Sequence, residues 1–129
     1  LLKPASTGSS HGITYDASTG VFTFPNAGTY DLSLVVNATP SASNQYVYIY
    51  AEQNTGSGWV VNANSGKQYT LNVSGDTVQI VYAQAVYRSA GQQVRYWIYS
   101  NDSKVDLVTD TLPTVTPTVY VPAIRIQYA

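Results

Sequence analysis

Apolar and polar residues alternate with a period of two along almost the whole chain, and Val, Ile, Thr and Tyr fill the alternating runs. The pattern predicts strands at residues 12–16, 20–24, 28–38, 45–53, 58–63, 67–74, 77–87, 93–100 and 119–128. The breaks between them carry turn chemistry: Ser18-Thr19-Gly20, Pro25-Asn26-Ala27-Gly28, Asn54-Thr55-Gly56-Ser57-Gly58, Asn64-Ser65-Gly66 and Ser74-Gly75-Asp76. Gly and Asn accept the positive φ that tight turns require. No segment shows a helical period. About nine short strands with closely spaced turns define an all-β chain, an antiparallel two-sheet sandwich or jelly roll. The stretch from Ser100 to Pro117, "SNDSKVDLVTDTLPTVTP", breaks the rhythm and is expected to form a long surface excursion. Loops of that length usually make contacts or carry function.

Some of these strands lack a polar face. In "QYVYIYAEQ", Tyr46, Tyr48 and Tyr50 share one side while Val47, Ile49 and Ala51 share the other. In "DTVQIVYAQAVYR", Val78, Ile80, Tyr82 and Val86 oppose Val81, Ala83, Ala85 and Tyr87. A solitary antiparallel sandwich keeps one wet face on each sheet. Two-sided apolar strands therefore mean either cover by the chain's own loops or contact with another subunit. Tyr suits a contact, because a large ring is buried while its hydroxyl keeps a polar partner. Twelve Tyr against two Trp and two Phe favour the contact. In the last strand Ile124, Ile126 and Tyr128 share one face, leaving Arg125 and Gln127 on the other. Should that second face look toward a symmetry axis, copies of Arg125 would need anions or partners there. The expected trimer interface is Tyr46, Tyr48, Tyr50, Val81, Ala83, Arg125 and Gln127.

Composition narrows the classes. The 129 residues are read as one domain, residues 1–129, with Lys plus Arg 6, Asp plus Glu 7 and a formal net charge of −1. Only 10% of residues are charged, against about 25% in an ordinary soluble domain. So sparse a charge suits a surface partly covered in an assembly. It also excludes nucleic acid as a partner, which needs a basic face. With no Cys, neither disulfides nor thiolate metal sites hold the fold. No apolar run reaches the roughly 20 residues of a membrane helix, so no membrane span is expected. The opening Leu1-Leu2-Lys3-Pro4 has neither an initiator Met nor a secretory pattern. The chain is thus expected to be the C-terminal fragment of a longer, stalked protein.

The stretch "GVFTFPNAGTYDLSLVV" resembles the second strand pair of tumour-necrosis-factor and C1q-type jelly rolls, through Gly20, Phe22, Thr23, Pro25, Gly28 and Tyr30. "LNVSGDTVQIVY" is similar to the family's strand, Gly-Asp turn and strand, with Gly75, Asp76 and Val78 in place. The Tyr46, Tyr48, Tyr50 run resembles the aromatic inner-sheet strand that packs at the family's threefold axis. These matches bracket residues 11–128, although residues 100–117 have no counterpart. The resemblance implies a compact homotrimer of inner and outer sheets. The collagen stalks, membrane anchors and calcium ligands of animal members are not found. Knobs of this type also cap bacteriophage spikes, fibres and tail needles, and the polar, cysteine-free, near-neutral composition is more similar to those.

Candidate chemistry is sparse. His11, the one histidine, would need a hydroxyl such as Ser9 or Ser10 and an orienting carboxylate such as Asp16 to build a nucleophile and base. A lone His in an N-terminal segment is most often a bystander. Asp102, Asp106 and Asp110 recur every four residues and would stack on a helix, but the intervening Val105, Leu107, Val108 and Thr109 suit an extended segment, without the oxygen spacing of a calcium loop. A pair of carboxylates working as a glycosidase needs a set separation, which sequence does not give. No metal or cofactor is assigned. Arg88 and Arg95 flank the turn "SAGQ" and are expected to pair as a hairpin, bringing both guanidiniums to one end of the sandwich. Arg holds planar carboxylate or phosphate groups through paired donors. Candidate small-anion or sugar-binding residues are Arg88, Arg95, Arg125, Tyr96 and Trp97, against the plainer reading of stem packing and salt bridges.

The expected function is non-enzymatic: a trimeric knob at the tip of a phage spike, fibre or tail needle, in the virion. It would lock the trimer and support attachment to, or penetration of, a host cell surface through a glycan or small acid. The alternative is a secreted or surface bacterial C1q-like or carbohydrate-binding module. A small hydrolase using Asp and Glu is the weakest reading.

Overall fold

A computed structural model describes residues 6–9, 11–100, 105–108, 110–112, 119–121 and 123–128, with side chains described at 11–100 and 105–107. Among the described residues there is no helix. The strands in chain order are β1 (Ser6–Ser9), β2 (Thr14–Asp16), β3 (Val21–Phe24), β4 (Gly28–Pro40), β5 (Gln45–Asn54), β6 (Val60–Val61), β7 (Lys67–Leu71), β8 (Val78–Arg88), β9 (Gln92–Ser100), β10 (Val105–Val108), β11 (Asp110–Leu112), β12 (Val119–Val121) and β13 (Ala123–Tyr128).

Eleven of them build two facing sheets, and β11 and β12 form a separate pair. The first runs β2-β3-β9-β5, with β7 and β6 following one another along the far edge of β5. The second is centred on β4: β8 lines one edge over Gly28–Ala38, and β13 and β10 share the other, with β1 beyond β13. Pairing is antiparallel throughout except between β1 and β13. Consecutive long strands lie in opposite sheets, β3 in the first, β4 in the second, β5 in the first, β8 in the second and β9 in the first. That alternation makes the sandwich a jelly roll.

The alternating residues explain the layering. Phe22 and Phe24 of β3, Tyr30, Leu32, Leu34, Val36 and Ala38 of β4, and Val47, Ile49 and Ala51 of β5 point inward and are buried. Ile80 and Tyr82 of β8 and Val94 and Tyr96 of β9 complete the core. The Pro25-Asn26-Ala27 break is an arch that carries the chain across the core, since β3 and β4 never pair. Tyr30 fastens it by donating its hydroxyl to the Asn26 carbonyl at 2.7 Å, and the Asn26 amide donates to His11 O at 3.0 Å. Gly12 passes under the arch with φ +77°, and a Cβ there would meet Pro25 Cγ at 3.2 Å.

Two expectations about connectivity are corrected. The strands carrying Arg88 and Arg95 do not pair: β8 belongs to the second sheet and β9 to the first, and the turn between them is another crossing, held by Gly91 N–H to Phe24 O at 2.8 Å. The segment after Ser100 is not a bare excursion, because it contains β10, which extends the pairing of β4, and β11, which pairs with β12. The strand expected over 58–63 shortens to β6, since Asn62 to Gly66 turns inward to bury Ser65. There Ser65 Oγ accepts from Ala51 N–H at 2.8 Å, and Tyr82 of the opposite sheet donates to Ser65 O at 2.6 Å. Burial pushes the Tyr82 phenol far above its ordinary range, helped by the neighbouring Tyr96.

The free edge of β8 is also closed. Tyr69 donates its hydroxyl to Val81 O at 3.0 Å and Lys67 Nζ donates to Ala83 O, so two edge carbonyls are occupied by side chains of the facing sheet. An edge blocked in this way cannot template sheet extension.

Candidate functional site

The parity that buries Val94 and Tyr96 turns Gln93, Arg95, Trp97 and Tyr99 of β9 to the outer face of the first sheet. On β5 it does the same for Tyr46, Tyr48, Tyr50 and Glu52. The register sets Glu52 opposite Arg95, Tyr50 opposite Trp97 and Tyr48 opposite Tyr99. Tyr48 and Tyr99 are 6.5 Å apart with planes inclined 29°, and Tyr46 meets Tyr48 edge-on at 5.3 Å. An aromatic ladder thus climbs two strands from the Arg95–Glu52 pair.

At the foot of the ladder lies a cleft of about 540 Å³. Gln93 and Arg95 line it from β9, and Thr14, Asp16, Val21 and Thr23 line it from the β2–β3 hairpin. Trp59 lines it from the loop before β6. That loop is built by Asn54, whose Oδ1 accepts from Gly56 N–H at 2.8 Å and Gly58 N–H at 3.3 Å. The hairpin is tied by Asp16, which accepts from Ser18 Oγ at 2.6 Å and Ser18 N at 2.9 Å. These bonds, the side-chain one first, hold the Asp16 carboxyl below its ordinary range. Tyr15, stacked on Phe22 at 4.5 Å, is pushed up by burial and by the Asp16 charge beside it.

Arg95 is the hub. Its Nη2 lies 2.6 Å and its Nε 2.8 Å from Glu52 Oε2. Its Cζ is 4.1 Å from the centroid of Trp59 and 5.6 Å from that of Trp97. A guanidinium stacked on indole and ion-paired at its edge is rigid and locally neutralised.

Of the expected ligand-binding residues, Arg95 and Trp97 come together on this face. Arg88 and Tyr96 do not join them: both point into the core, 1% exposed. The alternation that buries Tyr82 carries Arg88 inward with it, to 5.6 Å over the Phe24 ring and beside the Tyr96 phenol, where its guanidinium nitrogens have no well-formed hydrogen bond among the described residues. Burial raises the Tyr96 phenol, and the Arg88 charge beside it restrains that rise. Arg125 and Gln127 stand in register with Ser33 and Asp31, and their side chains lie outside the described residues.

The expected interface residues separate into two sets. Tyr46, Tyr48 and Tyr50 project from the outer face of the first sheet, whereas Val81 and Ala83 project from the outer face of the second. No one flat contact takes both. His11 is exposed in the turn before β2, and the Asp16 carboxylate is committed to Ser18. Ser10 and Asp102 lie outside the described residues, as does the Ser9 side chain. Asp106 is exposed on β10 and Asp110 falls on β11, so their spacing runs along extended chain. Among the described residues no group of three His, Asp or Glu converges as a metal site, and no helix is long and apolar enough to cross a membrane.

Sequence reasoning missed Trp59, Gln93 and the hairpin threonines. The signal for Trp59 was its position directly after the Gly56-Ser57-Gly58 loop, which holds a large ring at the surface. For Gln93 it was the parity of β9.

No family model and no curated protein matches the chain. Among solved structures the fold is similar to Eiger TNF from S. frugiperda, with a TM-score of 0.55 and 12% sequence identity over 74% of this chain. The match spans 60% of that chain. The protein is therefore a jelly roll of the TNF-like kind, a statement about fold alone.

Proposed function

We propose that the chain is a non-enzymatic, homotrimeric attachment knob of the kind that caps bacteriophage spikes, fibres or tail needles, contributing to trimer locking and host-surface attachment. The observation that carries this reading is the outer face of the second sheet. Val81 is 50% and Tyr87 65% exposed there, and Ala83 and Ala85 lie between them. The register adds Val35 beside Val81 and Ser33 beside Ala83, with Asp31 opposite Ala85. So apolar a strip on a chain of 10% charged residues favours cover by sister subunits. With the β8 edge closed by Lys67 and Tyr69, sisters associate through the face and not by extending the sheet. Threefold closure covers every copy of the strip at once.

This arrangement leaves the aromatic face of the first sheet pointing away from the axis. Three clefts on one rigid body turn weak single contacts into useful avidity. The test is a pair of variants compared by light scattering. Val81→Glu places an unpaired charge in the contact and is expected to reduce the mass to that of one chain, while Tyr48→Asp leaves the mass unchanged. An unaltered mass in Val81→Glu refutes the assignment of the contact.

A further inference from the structure

We infer that the cleft at Trp59 and Arg95, together with the ladder of Trp97, Tyr50, Tyr99 and Tyr48, is a binding track for a linear neutral oligosaccharide. The inference rests on the attachment reading above and names its ligand class. Three features converge on sugar. The first is shape: outward residues two apart on a strand repeat at about 6.7 Å, so the ladder is a row of aromatic side chains and not a single pocket. Tyr48 and Tyr99, at its far end, are 37% and 57% exposed. The electron-rich face of an aromatic ring attracts the polarised C–H groups on the flat side of a pyranose.

The second feature is the polar lining of the cleft. Beside a Thr19 hydroxyl already held by Asp16, Thr14 and Thr23 offer hydroxyls and Gln93 an amide. Each of these both donates and accepts, as a ring of sugar hydroxyls requires. The third is charge. Arg95 is the cation of the cleft, and Glu52 already neutralises it at 2.6 Å. Asp16 adds a further negative charge to the rim, so the site has no excess positive charge to hold an acid. A sialic or uronic acid would have to displace Glu52 from a stacked, ion-paired guanidinium. A neutral chain leaves that pair intact and lies along the rings.

The chain reports on itself, because both of its tryptophans, Trp59 and Trp97, belong to the track. Intrinsic fluorescence is followed while the protein is titrated with maltohexaose, cellohexaose, hexa-N-acetylchitohexaose and xylohexaose, and with sialyllactose as the acidic probe. Trp59→Ala and Tyr99→Ala are titrated in parallel, and the mass of every sample is measured. The expected result is a saturable change with at least one neutral hexasaccharide, stronger than with its disaccharide. Affinity should fall about tenfold or more in both variants, with mass unchanged. No saturable response to any neutral probe overturns the inference, as does a response to sialyllactose alone. A loss of mass in Tyr99→Ala also overturns it, by assigning the ladder to a sister chain, whereas a monomeric parent protein that still binds a neutral hexasaccharide sinks the trimer and leaves the track standing.

Discussion

Arg95 and Glu52 face each other across β9 and β5, guanidinium to carboxylate at 2.6 Å, with the Trp59 indole stacked on the cation at 4.1 Å. Their side chains are only 25% and 16% exposed, so solvent screens the pair less than it would a surface pair. Glu52→Gln is expected to lower stability by about 1–2 kcal/mol, read as a lower urea midpoint with unchanged slope. Because the pair is sheltered, most of that loss should persist at high salt. A difference that vanishes in salt would show that the pair is an ordinary surface contact.

Tyr82 ties the two sheets by donating to the buried Ser65 carbonyl at 2.6 Å. Tyr82→Phe keeps the ring in the core but leaves that carbonyl without its tyrosine partner, at a cost of about 1–2 kcal/mol. Thermal unfolding should register it. The same change at Tyr99, 57% exposed on the outer face of the first sheet, should stay within about 0.5 kcal/mol, and equal effects at the two sites would contradict the role given to the Ser65 turn.

Arg88 is a buried guanidinium over the Phe24 ring, with the Tyr96 phenol beside it and no well-formed hydrogen bond among the described residues. Desolvating a cation costs more than one aromatic contact returns. Arg88→Met, which keeps an unbranched stem in the same space, is expected to raise stability by about 1–3 kcal/mol. A lower melting temperature in that variant would mean that the guanidinium is paired in solution.

The buried phenols predict alkaline unfolding. Tyr82, Tyr96, Tyr69 and Tyr15 are all pushed above 10.0, chiefly by burial. A group whose folded pKa is raised contributes stability that is complete below its unfolded pKa and lost as pH rises through the folded one. Stability should therefore decline above pH 10, and part of the tyrosinate absorbance should appear only together with loss of the β circular-dichroism signal. Complete ionisation of all twelve tyrosines with the fold retained would contradict the buried assignments.

Much of the fold was legible because burial enforces a period of two. The alternation in Thr29 to Ala38 and in Gln45 to Ala51 gave strands whose inward residues are the observed core. The period does not say which sheet a strand joins. A break such as Pro25-Asn26-Ala27 reads the same whether the chain folds back or arches over the core. That ambiguity is why the tyrosine run and Val81 were expected in one interface and are found on opposite faces, and why Arg88 and Arg95 were expected together. At the site, Arg95 and Trp97 were legible as neighbours of aromatic strand residues. The cleft was not, because Trp59 reaches it from a loop and Thr14 from another hairpin, a juxtaposition that only the crossings create.

The mass of the purified chain in solution tests the trimer most directly. Light scattering is predicted to give about 42 kDa, three times the 13.9 kDa of one chain, with the mass held on dilution. A stable mass of 13.9 kDa would contradict the trimer, because the Val81, Ala83, Ala85 and Tyr87 strip would then stand open to water with no sister to cover it.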